Sequence, residues 1–199
     1  MITPCFETVG GGDYAIDNLI LEGVNDCDAT VQIVNADGTW GTQGFWFNAW
    51  GDLPAGWCTD MLGTTPAEIN LKPGQAVFFK TTSNTAKAMT AGQVAGTITI
   101  ELDSGYSMIG NGTPVAIAID EILLEGVNDC DATVQIVNAD GSWGTQGFWF
   151  NAWGDLPAGW CTDMLGTTPA EIILEPGQSV FFKTTATGAK ATIPSALAQ

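Results

Sequence analysis

Cys27 and Cys58 are followed, 103 residues later, by Cys130 and Cys161, and both pairs sit among carboxylates and amides. Thiols and hard oxygens in that arrangement support a disulfide, a metal site, a thiolate nucleophile or a carboxylate pair. The chain contains no histidine. That removes Ser-His-Asp and Cys-His catalysis and any His-ligated zinc or iron. It also removes the usual proton switch near neutral pH. Two cysteines per repeat hardly make a zinc site, so one disulfide per repeat is the expected use, with free buried thiols as the alternative. A bridge closing such a loop contributes roughly 3–4 kcal/mol and implies an oxidising place, outside the cell or in the periplasm. Cys5 has no counterpart in the second repeat. An odd cysteine points to an intermolecular bond or an exposed thiol, against the plainer reading of a lone buried residue.

Asn25, Asp26 and Asp28, with Asn35 and Asp37, gather hard oxygen donors; Asn128, Asp129, Asp131, Asn138 and Asp140 repeat them. Calcium takes six to eight such oxygens, which makes Asp26, Asp28, Asp129 and Asp131 a candidate calcium set. Their spacing is not that of an EF-hand, and Asn and Asp also serve as ordinary turn residues. The expectation is no cofactor, with calcium as the one candidate. Glu22 and Glu68 are nominal glycosidase carboxylates, but nothing in the sequence brings them together. There is no Gly-rich phosphate loop. The chain is expected not to be an enzyme.

The remaining chemistry is aromatic. GFWFNAWGDLPAGWC spans Gly44–Cys58 and returns as Gly147–Cys161. On a strand, Phe45 and Phe47 point one way and Trp46 and Trp50 the other. Phe148 and Phe150 likewise oppose Trp149 and Trp153. Both faces are therefore apolar, whereas a sheet with one wet face alternates apolar with polar. Each aromatic buries about 150–250 Å², so the second face needs a cover. Loops of the same unit, another domain or subunit, and a stacked sugar ring are the three covers considered. A glycine bulge at Gly41 or Gly44 would shift this parity.

The elements that carry these residues are duplicated. Leu21–Thr82 recurs as Leu124–Thr185 with four differences in 62 positions: Thr39/Ser142, Asn70/Ile173, Lys72/Glu175 and Ala76/Ser179. Ala29–Asn35 alternates as a strand, Asp37-Gly38 is a hairpin turn signal, and Trp40–Trp50 returns. Glu68–Leu71, Pro73-Gly74 and Ala76–Thr82 form a second strand–turn–strand, and Ala86–Met89 and Gly96–Leu102 add further strands. Asp17–Leu21 reads as a short helical turn. The fold class is all-β: two tandem, near-identical small β-sandwich or barrel domains, 1–95 and 96–199. Gly96–Ser107, with GTITIEL, has no partner in the first repeat, so that repeat begins part-way through its unit. It either lost an N-terminal piece or completes its sheet with a strand from elsewhere. The junction contains a strand and is not Gly/Ser-rich, which favours a fixed contact between repeats. Such a head-to-tail contact, repeated between molecules, produces a filament.

Of 199 residues, 22 are acidic and five are lysine, for a net charge of −17 with 45% hydrophobic content. A dispersed acidic surface repels nucleic-acid phosphates and anionic membranes. No apolar run is long enough to span a bilayer, and no signal peptide is visible, which suits a mature secreted form.

GYSMIGNGTP, AIDEILLEG, VQIVNADG, ILEPGQSVFFKTT and a final Ala-Lys-Ala-Thr strand together resemble secreted tandem β-repeat proteins of bacteria in the Planctomycetes–Verrucomicrobia–Lentisphaerae group. The resemblance covers nearly the whole chain except its start. It implies an extracellular or cell-surface location and a repeat architecture, and it transfers no catalytic residues. The expected function is a secreted structural protein that polymerises with itself into a filament or surface layer. Duplicated units, two-faced aromatic strands, Cys5 and few trypsin sites carry that expectation. The alternative is a carbohydrate-binding module that stacks glycans on Trp46, Trp50, Trp149 and Trp153. Neither reading involves nucleic acid or membrane insertion.

Overall fold

A computed structural model describes residues 6–7, 13–89, 93–94, 96–138 and 140–195. Ten short strands occupy the first half: β1 (Phe6–Glu7), β2 (Tyr14–Ala15), β3 (Ile20–Glu22), β4 (Ala29–Val34), β5 (Trp40–Phe47), β6 (Gly56–Cys58), β7 (Asn70–Leu71), β8 (Phe78–Thr81), β9 (Lys87–Met89) and β10 (Gln93–Val94). Ten more follow: β11 (Ile98–Leu102), β12 (Gly105–Gly110), β13 (Ile117–Ala118), β14 (Leu123–Glu125), β15 (Ala132–Val137), β16 (Trp143–Phe150), β17 (Gly159–Cys161), β18 (Ile173–Leu174), β19 (Ser179–Thr184) and β20 (Ala189–Ile193). The only helical pieces among the described residues are two 3-10 turns, Ile16–Asn18 and Ile119–Glu121. The first of these falls where the sequence pattern places a turn.

The main sheet of the first half has the order β6-β5-β4-β8, and that of the second β12-β19-β15-β16-β17. Corresponding strands pair alike: Thr30 faces Phe45 as Thr133 faces Phe148, and Val31 faces Phe79 as Val134 faces Phe182. A register shift between Gln32 and Val34 leaves two residues of β5, Gly41 and Thr42, opposite Ile33. This is a bulge at one of the two glycines that permit it. Phe45 and Phe47 then face one way, half-buried, and Trp46 faces the other, in the core.

Each half buries its own apolar cluster. Val31, Trp46, Trp57, Ile69 and Val77 belong to the first, and Val134, Trp149, Trp160 and Phe182 to the second. In the second half the cluster also takes Ile98, Ile100, Ala189 and Ala191 from a separate sheet, β11-β20-β14. Trp46 and Trp57 meet edge-to-face at 5.4 Å, as do Trp149 and Trp160, an arrangement favoured by the ring quadrupole.

The halves touch through fixed backbone contacts. The Tyr106 N–H donates to Ala36 O at 2.8 Å and the Gly110 N–H to Gly74 O at 2.9 Å, with a bridge between Gln75 and Ile109. Gly105 has φ +123, and a Cβ there would lie 2.0 Å from Ala36 O. A residue at Gly38 would meet the Tyr106 ring at 2.9 Å. Phe181 collects Tyr106, Trp143 and Trp40 around it, the last at 6.2 Å from the first repeat.

The expected disulfides are not present: Cys27, Cys58, Cys130 and Cys161 are free thiols. Strand β5 is the reason. Cys27 donates its N–H to Trp46 O from the β4 side, while Cys58 pairs with Phe45 from the β6 side. Cysteines on opposite sides of one strand stand about two strand spacings apart, roughly 9–10 Å, beyond the Cα separation a disulfide accepts. Cys130 and Cys161 flank β16 in the same way. Cys5 lies outside the described residues. Burial, and then neighbouring carboxylates, push all four thiols up from their ordinary pKa: Asp26 and Asp28 at Cys27, Asp60 and Asp17 at Cys58, and their counterparts at Cys130 and Cys161. They are therefore poor nucleophiles near neutral pH. Native protein at pH 7 should alkylate slowly at these positions, and denatured protein should label all four without reductant. Labelling that requires reductant would restore the disulfides.

Candidate functional site

No group of three or more His, Cys, Asp or Glu gathers as a metal set among the described residues. The candidate calcium carboxylates act as turn locks. Asp26 Oδ1 accepts from the Asn48 N–H at 2.8 Å, and Asp129 Oδ1 from the Asn151 N–H at 2.7 Å. Asp28 and Asp131 each accept from the amide of Asn25 or Asn128 at 3.0 Å. Glu22 and Glu68 are exposed on separate elements, Glu22 on β3 and Glu68 in the segment before β7.

The aromatic residues divide. Trp46 and Trp149 are core side chains whose Nε1–H donates to Asn48 and Asn151 Oδ1 at 3.3 and 3.1 Å. They offer no face to a ligand, so the four-tryptophan platform loses them. Trp50 and Trp153 are 82% exposed. The difference arises because β5 and β16 end at Phe47 and Phe150. Beyond them Trp50 and Leu53 exchange both backbone hydrogen bonds at 3.0 Å, as do Trp153 and Leu156. Gly51 at φ +60 is the first residue of the two-residue loop, the position glycine takes in a type II′ hairpin. The chain leaves the sheet and carries its tryptophan outward.

A second loop stands beside the first. The Asp163 carboxylate accepts from the N–H of Leu165, Thr167 and Thr168, at 2.8, 3.2 and 2.7 Å, and from Thr167 Oγ1 at 3.1 Å. Asp60 holds the first-repeat loop through the same contacts. Gly166 packs on the Phe150 ring, where a Cβ would come within 2.9 Å. The outer strand face is thus covered by a loop of its own repeat. The loop in turn exposes Leu62 by 82% and Leu165 by 84%, with Met61 and Met164 beside them.

Hydrogen bonds from Thr168 first, then from Thr167 and Leu165, hold the Asp163 carboxyl well below the usual carboxylate range. A depressed carboxylate stabilises the folded loop above the unfolded pKa, about 4, and that contribution declines as pH falls below it. Protection factors at Leu165 and Thr168, with the intrinsic pH dependence of exchange divided out, should therefore be unchanged from pH 7 to about 5 and fall below about 4. Asp163→Ala should give the lowered protection at every pH, and unchanged protection in that variant would mean the carboxylate does not hold the loop.

In the second repeat the two loops and the outer strand face enclose a cavity of about 490 Å³. Its apolar wall is Phe150, Trp153, Leu156 and Leu165, and its polar rim includes Asp120, Asp129, Asn151 and Thr167. Asp120 Oδ1 accepts from the Trp160 N–H at 2.8 Å, which leaves its second oxygen for a ligand. The sequence singled out Phe148, Phe150 and Trp153 but not Leu156 or Leu165. Their signal was a Leu beside Gly or Asp in a polar loop, repeated without change in both copies. No protein-family model, no curated protein and no solved structure matches this chain.

Proposed function

We propose that the chain is a non-catalytic extracellular binding protein: two small β-sandwich units in tandem, each presenting one tryptophan-centred platform to a neutral glycan. The observation that carries this reading is the exposure of Trp50 and Trp153, equal in both repeats, on loops locked by reciprocal hydrogen bonds. Neither platform is consumed by the contact between repeats. A flat indole beside carboxylates and an amide suits a sugar ring, which stacks its C–H face and hydrogen-bonds at its rim. A cavity of about 490 Å³ lies in the range of small-ligand sites. The net charge of −17 is no obstacle to an uncharged ligand. Two sites on one chain add avidity towards a repeating polymer. The extracellular placement rests on the resemblance to secreted bacterial repeat proteins, since free thiols do not argue for it. No helix among the described residues is long and apolar enough to cross a membrane.

The test is affinity electrophoresis through gels containing neutral polysaccharides. Retardation should fall with Trp50→Ala or Trp153→Ala alone and disappear in the double variant. Unretarded wild-type protein across a broad polysaccharide set would end the glycan reading.

Self-assembly into a filament or layer is the second reading, favoured by the fixed contact between repeats. Its simplest route, the same contact made between molecules, meets an obstacle. The contact needs Gly105 and Tyr106, and Gly-Tyr occurs once in the chain. Both residues lie in Gly96–Ser107, the segment without a partner in the first repeat. Negative-stain microscopy at several concentrations, with and without calcium, separates dispersed two-lobed particles from fibres or sheets.

A further inference from the structure

Strands β11 and β12 complete the two sheets of the second repeat. β11 pairs with β20 from Ile98↔Ile193 to Leu102↔Ala189, and β12 pairs with β19 from Gly105↔Thr184 to Gly110↔Ser179. The counterparts of β19 and β20 in the first repeat are β8 and β9. Among the described residues β8 pairs only with β4, and β9 only with β3. The effect shows in burial of equivalent side chains. Ala191 is 0% exposed, whereas Ala88 is exposed. Phe182 and Thr184 are buried, whereas Phe79 and Thr81 are only half-buried.

All four residues of β8 line a cleft of about 770 Å³, closed on its far side by Val137, Leu174 and Ser179 of the second repeat. Residues of both side-chain facings contribute, so the cleft runs along the strand's free edge. The Ser179 hydroxyl is buried there and has no hydrogen-bond partner among the described residues. An unpaired strand edge is a template for another strand, and strand addition is a recurrent way to bind an extended peptide.

We propose that the free edge of β8 is a strand-acceptor site for an extended polypeptide segment of another chain with the chemistry of β12. The second repeat displays both halves of that pair. Phe181-Phe182-Lys183-Thr184 is identical to Phe78-Phe79-Lys80-Thr81, and its partner is Gly-Tyr-Ser-Met-Ile-Gly. Transferred by the repeat offset, the incoming strand runs antiparallel to β8. Its glycine lies opposite Thr81, its tyrosine opposite Lys80, its serine opposite Phe79 and its methionine opposite Phe78. Lys183 Nζ sits 5.1 Å from the centre of the Tyr106 ring, and Lys80 is placed to make the same cation–π contact with an incoming tyrosine. The site is separate from the tryptophan platforms, and its occupant does not depend on what they bind.

The probe is a synthetic peptide of residues Asp103–Asn111 added to the intact chain, read by amide hydrogen exchange. Exchange at Phe79 and Thr81, whose N–H groups face away from β4, should slow at least about tenfold, with little change at β15 or β16. The same peptide carrying proline in place of Ser107, whose N–H lies on the β19 side of β12, should give no protection, because proline cannot donate to the ladder. A Lys80→Ala chain should need more peptide for the same protection. Three results would overturn the proposal: no protection at Phe79 and Thr81, equal protection by the proline peptide, or full protection of Phe79 and Thr81 before any peptide is added. The last would mean that the chain's own residues already occupy the edge.

Discussion

Gly105→Val should lower stability by on the order of 3 kcal/mol and separate the two repeats. Gly105 lies at φ +123 with its would-be Cβ 2.0 Å from Ala36 O. A β-branched side chain meets both a forbidden backbone region and a carbonyl oxygen. Relief requires the segment to withdraw from the first repeat, which breaks the Tyr106 N–H bond to Ala36 O and uncovers Gly38. Chemical denaturation reads the stability loss. Small-angle scattering reads the separation as a larger radius of gyration, and exchange at Tyr106 should rise in parallel. A variant with unchanged scattering and unchanged Tyr106 protection would show that the repeats do not make this contact in solution.

The second large effect contrasts two tryptophans four residues apart. Trp149→Ala should cost about 3–5 kcal/mol, the range for emptying an aromatic site in a packed core. Its ring packs edge-to-face on Trp160 and its indole N–H is satisfied by Asn151. Trp153→Ala should change stability by less than about 0.5 kcal/mol, as for an exposed position, while removing one ligand platform. Urea unfolding of both variants decides it. Equal losses would mean that Trp153 is packed and not displayed.

Much of this fold is written locally. Asp37-Gly38 closes the β4–β5 hairpin, the bulge falls at Gly41, and Phe45 and Phe47 oppose Trp46 as the period of two requires. These features depend only on neighbours in sequence. Which apolar face becomes core was not legible, because both faces carry large aromatics and only the Asp60 and Asp163 loops decide the matter. Trp50 and Trp153 looked like continuing strand residues, since the Gly51-Asp52 turn that ejects them is only two residues long. The disulfide expectation failed for a long-range reason: the strand between Cys27 and Cys58 is invisible in their spacing. Trp57 and Trp160, as deeply buried as Trp46, were not singled out, because one tryptophan in a three-residue strand carries no period. The role of Gly105 was equally hidden, since its obstacle, Ala36 O, lies 69 positions earlier in the chain.

Display of Trp50 and Trp153 to a glycan is tested by a proton–nitrogen NMR spectrum of the indole N–H groups during titration with a soluble neutral oligosaccharide that retards the protein. The chain has eight tryptophans, so eight indole signals are expected, assigned by single substitutions. The Trp50 and Trp153 signals should move together and saturate, while those of Trp46, Trp57, Trp149 and Trp160 stay in place. Shifts confined to Trp40 and Trp143, or no shift at Trp50 and Trp153 at saturating ligand, would contradict that display.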